Sequence, residues 1–232
     1  PELFVKVLRI INDSAYSHIF DSISFNPLMK LGIDPDQVKG FLEKQEAESL
    51  YKFAKKYSSL GPCLEIGSYC GKSAVYLGAA VKENNQVLYS IDHHKGSEEQ
   101  QPGEEFFDPD LLDETGKGIN TLPSFLKTLE KADLLDNVVP IVSTSIEASE
   151  VWSEPLAMVF IDGGHSDQAA NDDYDVWHPH IIQGGLLAIH DVFPNPDDGG
   201  RPPFNIYTKA KESGLFKQVD MINSLALLEK VL

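Results

Sequence analysis

The stretch Cys63-Leu64-Glu65-Ile66-Gly67-Ser68-Tyr69-Cys70-Gly71-Lys72-Ser73 constrains this chain more than any other. A short apolar run carries an acid, and a turn with two glycines follows. Ala74-Val75-Tyr76-Leu77-Gly78-Ala79-Ala80-Val81 continues at once in a helical pattern. Strand, glycine loop, helix is the grammar of a ligand-binding turn. A helix N-terminus presents unpaired N–H groups and partial positive charge, and glycines let the backbone approach a ligand with no Cβ in the way. A nucleotide-like small molecule is expected here, against the plainer reading of a tight turn with no ligand. The dinucleotide fingerprint needs G-x-G-x-x-G and the P-loop needs G-x-x-x-x-G-K-[ST]. Glu65-x-Gly67-x-x-x-Gly71 is one glycine short of the first, and its glycines are too close together for the second. An acid at the strand end repels phosphate and suits a cationic ligand.

The rest of the chain repeats the alternation. Gln86–Asp92, Val138–Val142, Leu156–Asp162 and Leu186–His190 read as further buried strands, with Gly184-Gly185 turning into the last of them. Helices are expected over Val38–Tyr57, Leu122–Ala132, Ala169–Trp177 and Pro203–Glu212, and a short one begins at Ile146. Phe216–Ile222 and Leu225–Leu232, joined at Asn223-Ser224, read as a terminal hairpin. The expected fold is α/β: a doubly wound, mainly parallel sheet with helices on both faces and a C-terminal antiparallel hairpin. Residues 1–37 are expected to form an N-terminal helical cap, and 38–232 one domain. His93 to Thr121 is rich in Gly, Pro, Asp and Glu and lacks periodicity, so a lid-like insertion is expected over about 93–121.

Charge narrows the partners. Nineteen basic against 36 acidic residues give a net charge of -17, which repels nucleic acid and anionic membrane, and no Lys/Arg cluster supplies a local exception. No apolar run approaches the ~20 residues of a membrane span, and no signal-peptide pattern is present. The expectation is a cytoplasmic protein with a small-molecule substrate and no nucleic-acid or membrane partner; a homodimer is the assembly considered. Cys63 and Cys70 have a spacing that matches no zinc site, and a disulfide would lock a loop that must receive a ligand. Cys63 is expected to be a buried strand residue and Cys70 a loop residue near the ligand.

Ligands of open α/β sheets bind at the carboxyl ends of the strands. Here those ends carry Glu65, Asp92, the Ser143-Thr144-Ser145 run, Asp162, and His190-Asp191. Asp92, a little over 20 residues past the glycine loop, can accept both hydroxyls of a ribose. Thr144-Ser145 can equally cap a helix. Asp162 and Asp191 end neighbouring strands, so their carboxylates can converge on one hard cation such as Mg²⁺. Asp162 can otherwise merely cap the Gly163-Gly164 turn. His165 is a candidate general base. His190 is a candidate third ligand or a satisfied buried histidine. His93-His94, with Glu98 and Glu99 nearby, looks ligand-like, although a solvated polar loop explains it better; His93 still falls at the mouth of the expected ligand site.

E/D-x-G-x-x-x-G after a first strand resembles motif I of the class I S-adenosylmethionine (SAM) methyltransferases. Val159-Phe160-Ile161-Asp162-Gly163-Gly164-His165-Ser166 and Trp177 through Val192 resemble the IDG-x-HSY and W-x-P-x-L-x-x-GG-x-x-x-x-HD blocks of the methyltransferase 24 group. Asp167 stands where that group often has tyrosine. The resemblance covers roughly Val38 to Leu232. It implies a Rossmann-like methyltransferase fold and SAM as cofactor, held by Glu65, Gly67, Ser68, Gly71, Asp92, His93, Thr144, Ser145 and Asp162, with the adenine near Thr144-Ser145. Asp162 and His165 become the catalytic residues, and Asp162, Asp191 and His190 the ligands of a divalent cation. The implied activity is O-methylation of a small hydroxylated or sugar-like molecule. The alternatives are an NAD(P)-dependent oxidoreductase, disfavoured by the missing glycine, and a SAM-binding module without catalysis.

Overall fold

The structure, a computed structural model, describes residues 29–232. Most of the expected N-terminal cap lies outside the described residues. Of it, a 3-10 turn at Pro35–Gln37 is described, capped by the Asp34 carboxylate. Contacts divide the chain after Lys30, and all that follows concerns the unit Leu31–Leu232.

Seven strands form one sheet: β1 (Cys63–Ile66), β2 (Leu88–Ile91), β3 (Val138–Ile141), β4 (Leu156–Ile161), β5 (Ile181–Ile189), β6 (Phe216–Ile222) and β7 (Leu225–Lys230). Their order is β3-β2-β1-β4-β5-β7-β6, with the first five parallel and β7 antiparallel to both neighbours. The order reverses beside β1, the switch point at which such sheets bind ligands. Every residue of β1 and β4 is buried, as expected of central strands covered on both faces. Trp177, Phe160 and Leu64 are among the wholly buried side chains of the core, each worth roughly 2–3 kcal/mol of burial.

Six helices flank the sheet: α1 (Lys44–Tyr57), α2 (Lys72–Glu83), α3 (Leu122–Lys131), α4 (Ser145–Glu150), α5 (Asp167–Trp177) and α6 (Pro202–Glu212). α1 starts six residues later than its pattern suggests. Gly40 adopts φ +154°, and a Cβ there would lie 2.8 Å from the Lys72 side chain, so 38–43 runs extended and Phe41 leaves the apolar stripe for solvent. β5 begins earlier than expected. Its ladder with β4 is interrupted between Leu156 and Met158, and the glycine pair lies inside the strand. Gly184 takes φ +77°, and a Cβ on Gly185 would meet the Ala157 carbonyl oxygen at 2.9 Å, so the irregularity requires both. Residues 93–121 carry two short 3-10 turns and one bridge, Leu112 with Ile119, in place of regular structure.

Candidate active site

The glycine loop is set by contacts from two neighbouring strand ends. Gly67 takes φ +88°, and a Cβ there would sit 2.0 Å from the carbonyl oxygen of Asp162. Asp92 Oδ2 accepts the N–H groups of Ser68 and Tyr69, both at 2.9 Å, and Oδ1 accepts that of His94 at 2.7 Å. A carboxylate offers about four lone-pair positions. Asp92 therefore shapes the loop with three of them and keeps roughly one for a ligand hydroxyl.

Two expected ligand contacts stand back from the cleft. Glu65 is wholly buried, and its carboxyl accepts from Ser73 Oγ at 3.0 Å and Ser90 Oγ at 2.6 Å. Burial pushes its pKa up to about 8 against those two hydrogen bonds, so it is mostly neutral at pH 7. It is not the carboxylate that would face a cationic ligand. Gly71, at φ +92°, precedes α2; a Cβ there would meet the Phe125 ring at 3.1 Å. Cys70 also turns away from the expected ligand site and packs with Leu111 and Ile119. Both cysteines are free and buried.

Past β3, Thr144 and Ser145 line the cleft, but their hydroxyls are engaged. Thr144 Oγ1 accepts from Glu147 N at 3.3 Å in a capping box, and Ser145 Oγ accepts from Trp177 Nε1 at 2.8 Å. Asp173 on α5, missed in the sequence, is 6% exposed at the same end of the cleft. Burial raises its pKa to about 6. His93 lines the cleft, its Nδ1 accepting Lys95 N–H at 2.9 Å. His94 is buried with φ +57°, its Nδ1 2.7 Å from Thr121 Oγ1, which corrects the picture of a solvated pair.

Asp162 follows β4 directly, Asp191 follows β5 after His190, and His165 follows the Gly163-Gly164 turn. One ligand-capable atom from each of these three lies within 4.8 Å of the other two. Asp191 holds a left-handed φ of +56°, unusual for a non-glycine residue, which aims it at this cluster. His165 Nε2 lies 3.2 Å from Asp191 Oδ2, and Nδ1 lies 3.5 Å from Glu99 Oε2. Its hydrogen bond to Asp191 outweighs burial and raises its pKa.

His190 is not a free ligand. Its Nδ1 lies 3.0 Å from Asp162 Oδ1 and its Nε2 3.0 Å from Glu46 Oε2, so both ring nitrogens face carboxylates. Burial alone would discharge the ring, but Asp162, Asp191 and Glu46 together hold it cationic. A doubly protonated imidazole cannot coordinate a metal, and the group of side chains that could hold a cation comprises Asp162, Asp191 and His165, without the His190 that was expected. Glu46 went unread in the sequence. The signal was an acid inside the apolar stripe of α1, flanked by Ala47 and Leu50.

Gly67, Asp92, Thr144, Asp162, His165 and Asp191 line one cleft of about 1200 Å³ at the strand ends. That exceeds the roughly 300–1,000 Å³ of a single small-ligand site, leaving room for a donor and an acceptor side by side.

The strand order, the antiparallel final pair and the cleft beside the glycine loop define a class I SAM-dependent methyltransferase. The family model of the methyltransferase domain in the methyltransferase 24 group matches residues 64–192, more than half of the 232, and the chain belongs to that family. Solved structures share the fold at low identity. The O-methyltransferase TomG of Streptomyces achromogenes, involved in tomaymycin synthesis and in complex with SAM, is 13% identical with a TM-score of 0.62, over 94% of this chain and 96% of that one. The Bacillus cereus O-methyltransferase in complex with SAH is 11% identical, TM-score 0.60, over 93% and 97%. The O-methyltransferase NovP is 14% identical, TM-score 0.62, over 80% and 79%. Family membership sets the nicotinamide reading of the loop aside. Among the described residues, no helix is long and apolar enough to cross a membrane.

Proposed function

We propose that this chain transfers the methyl group of SAM to a hydroxyl of a small molecule that is neither nucleic acid nor lipid, with a divalent cation at Asp162 and Asp191 and with His165 as general base. The observation that carries the reading is the convergence of Asp162, His165 and Asp191 within 4.8 Å inside the cleft that also holds the glycine loop. Two partly exposed carboxylates suit a hard cation such as Mg²⁺. When bound, SAM supplies an electrophilic methyl, and a cation lowers the pKa of a hydroxyl. The chain's own residues do the rest. Gly67, Ser68, Asp92 and His93 face the donor half, with Thr144 and Ser145 at its far end. The imidazole of His165 cannot be ligand and base at once. Its Nε2–H points at Asp191, which orients the ring and stabilises the imidazolium, and its Nδ1 takes the hydroxyl proton. His190, cationic and buried, holds Asp162 in place.

The test is calorimetric titration with S-adenosylhomocysteine, with and without Mg²⁺, followed by methyl transfer from labelled SAM to small phenols and sugars. Heat from the adenosyl ligand and cation-dependent transfer are expected. No binding of the adenosyl ligand would sink the reading, and transfer that ignores both Mg²⁺ and chelator would remove its metal half.

A further inference from the structure

Three aromatic rings meet at the mouth of the cleft from three separate segments. Phe41 comes from the extended stretch before α1, Tyr69 from the glycine loop, and Phe106 from the acidic insertion. Phe41 lies 5.7 Å from the Tyr69 ring and 5.3 Å from the Phe106 ring, the second pair edge to face. Phe41 is 60% exposed and Phe106 41% exposed, yet both line the cleft. Contiguous exposed aromatic surface in a concave site marks a binding surface. The insertion is fastened there by Lys39, whose Nζ lies 2.5 Å from Asp108 and 2.9 Å from Asp110. Phe106 N–H also donates to the carbonyl oxygen of Glu99 at 3.1 Å.

The charge beside these rings is mainly negative. Glu99, half exposed, reaches the cluster through His165, and Glu105 is exposed on the same lining. No arginine lines the cleft among the described residues. Of its two lysines, Lys39 is paired with Asp108 and Asp110, and Lys72 Nζ lies 3.4 Å from the Gly40 carbonyl oxygen. A phosphate, carboxylate or sulfate on the acceptor would meet Glu99 and Glu105, with Lys39 already held by two aspartates and Lys72 turned to the Gly40 carbonyl oxygen. An ammonium would meet carboxylates and aromatic faces, the pairing that recognises organic cations.

Resting on the methyltransferase reading above, we propose that Phe41, Tyr69, Phe106, Glu99 and Glu105 form the acceptor subsite, and that the acceptor is a hydroxylated organic cation with an aromatic or other flat apolar ring. The rings take the apolar face, and the two glutamates take the amine.

Three phenols that differ in charge test this: tyramine (cationic), 4-ethylphenol (neutral) and 4-hydroxyphenylacetate (anionic). Each is titrated into the protein saturated with S-adenosylhomocysteine, read by calorimetry. Tyramine is expected to bind at least about tenfold tighter than the anion, with the neutral phenol between them. Glu99→Gln with Glu105→Gln should bring tyramine and 4-ethylphenol to parity. Phe41→Ala and Phe106→Ala should weaken tyramine and 4-ethylphenol alike. These positions are exposed, so unchanged thermal midpoints confirm folding, and retained binding of the adenosyl ligand confirms the donor half. Equal or tighter binding of the anion, no binding of any of the three, or variants that leave tyramine unaffected would overturn the proposal while the methyltransferase reading stands. Absence of adenosyl-ligand binding in the wild type would overturn both.

Discussion

Glu46 and His190 lie 144 residues apart in the chain, yet Glu46 Oε2 sits 3.0 Å from His190 Nε2 in a buried ion pair. The other oxygen of Glu46 accepts the N–H and Oγ–H of Ser224, both at 2.8 Å, at the β6–β7 turn. One side chain of α1 thus ties together the helix, the end of β5 and the terminal hairpin. Through His190 the link continues to Asp162 at the cleft.

Replacing the Glu46 carboxylate with an amide leaves the buried imidazolium one anionic partner short, while the remaining carbonyl oxygen can serve either Ser224 or the ring but not both. Glu46→Gln should therefore destabilise the protein by about 3–5 kcal/mol at pH 7. The sign with pH follows from Glu46 itself. Burial is the largest single influence and raises its pKa, but the hydrogen bond and charge of His190 together with the two Ser224 hydrogen bonds outweigh it, and the net shift is downward from 4.5. A lowered folded pKa gives stability that is present above the unfolded value and lost as pH falls through the folded one. His190 is shifted upward from 6.5, so its part is full below about that pH and declines as pH rises above it, which leaves the loss on the acid side to Glu46. Urea unfolding should show a wide gap between wild type and variant at pH 7 that narrows below about pH 4. Coincident midpoints at pH 7 would refute the ion-pair account.

Glu65 should respond to pH in the opposite direction. Its folded pKa of about 8 lies above the ordinary 4.5, because burial disfavours the charged form more than two serine hydroxyls favour it. A raised pKa gives stability that is full below the unfolded value and is lost as pH rises towards the folded one. By pH 7 the wild type has forfeited about 3 kcal/mol relative to acid conditions. Glu65→Gln keeps a neutral side chain of the same shape between Ser73 and Ser90. The variant should gain on the wild type steadily from pH 5 to pH 7 in equilibrium unfolding. A constant difference across that range would show that Glu65 is ionised in the folded protein.

Asp92→Ala removes the acceptor of three backbone amides as well as a candidate ribose contact. The Ser68 and Tyr69 N–H groups lose their partner, and Tyr69 holds a left-handed φ of +44° in that loop. Affinity for S-adenosylhomocysteine should fall by about 1–3 kcal/mol, and stability should fall with it. The paired readout separates the two roles, since a lost ribose hydrogen bond alone would leave the unfolding midpoint unchanged. Unaltered affinity would remove Asp92 from the donor site.

Sheet topology was legible in the sequence because each strand is a short apolar run ending at a polar residue, and the glycine loop fixes where the first helix starts. The β4 and β5 ends were legible too, since Asp162 precedes the Gly163-Gly164 turn and His190-Asp191 closes a recognisable block. What was not legible depends on distance in space. The burial of Glu65 follows from Ser73 and Ser90 closing over it, and no local pattern reports that. His190 reads as a ligand until Glu46 arrives from 144 residues upstream. Phe41 fits a helical stripe on paper, and Gly40 alone hinted that the helix would start later. The aromatic mouth joins three segments whose proximity depends on the Lys39 ion pairs, which periodicity cannot show.

Gly67 gives the sharpest test of how closely the donor and acceptor halves are joined. Its N–H donates to the Ile91 carbonyl oxygen at 3.0 Å, and Asp162 N–H donates to the Ile66 carbonyl oxygen at 2.9 Å, so the loop lies against β2 on one side and β4 on the other. A methyl group at residue 67 would fall 2.0 Å from the Asp162 carbonyl oxygen and 2.6 Å from its carbon, a contact that only backbone movement can relieve. The +88° φ adds the steric cost that a side chain meets in the left-handed region, on the order of 1–2 kcal/mol. Gly67→Ala should therefore push the loop away from the β4 end, lowering stability by about 2–4 kcal/mol. Movement there displaces Asp162 relative to Ser68 and Asp92, so affinity for S-adenosylhomocysteine should fall at least about tenfold even where the variant remains folded. Calorimetry on the folded variant, at a temperature well below its unfolding midpoint, measures this directly. Wild-type affinity in a folded Gly67→Ala protein would show that the loop reaches its ligand without the close approach to Asp162.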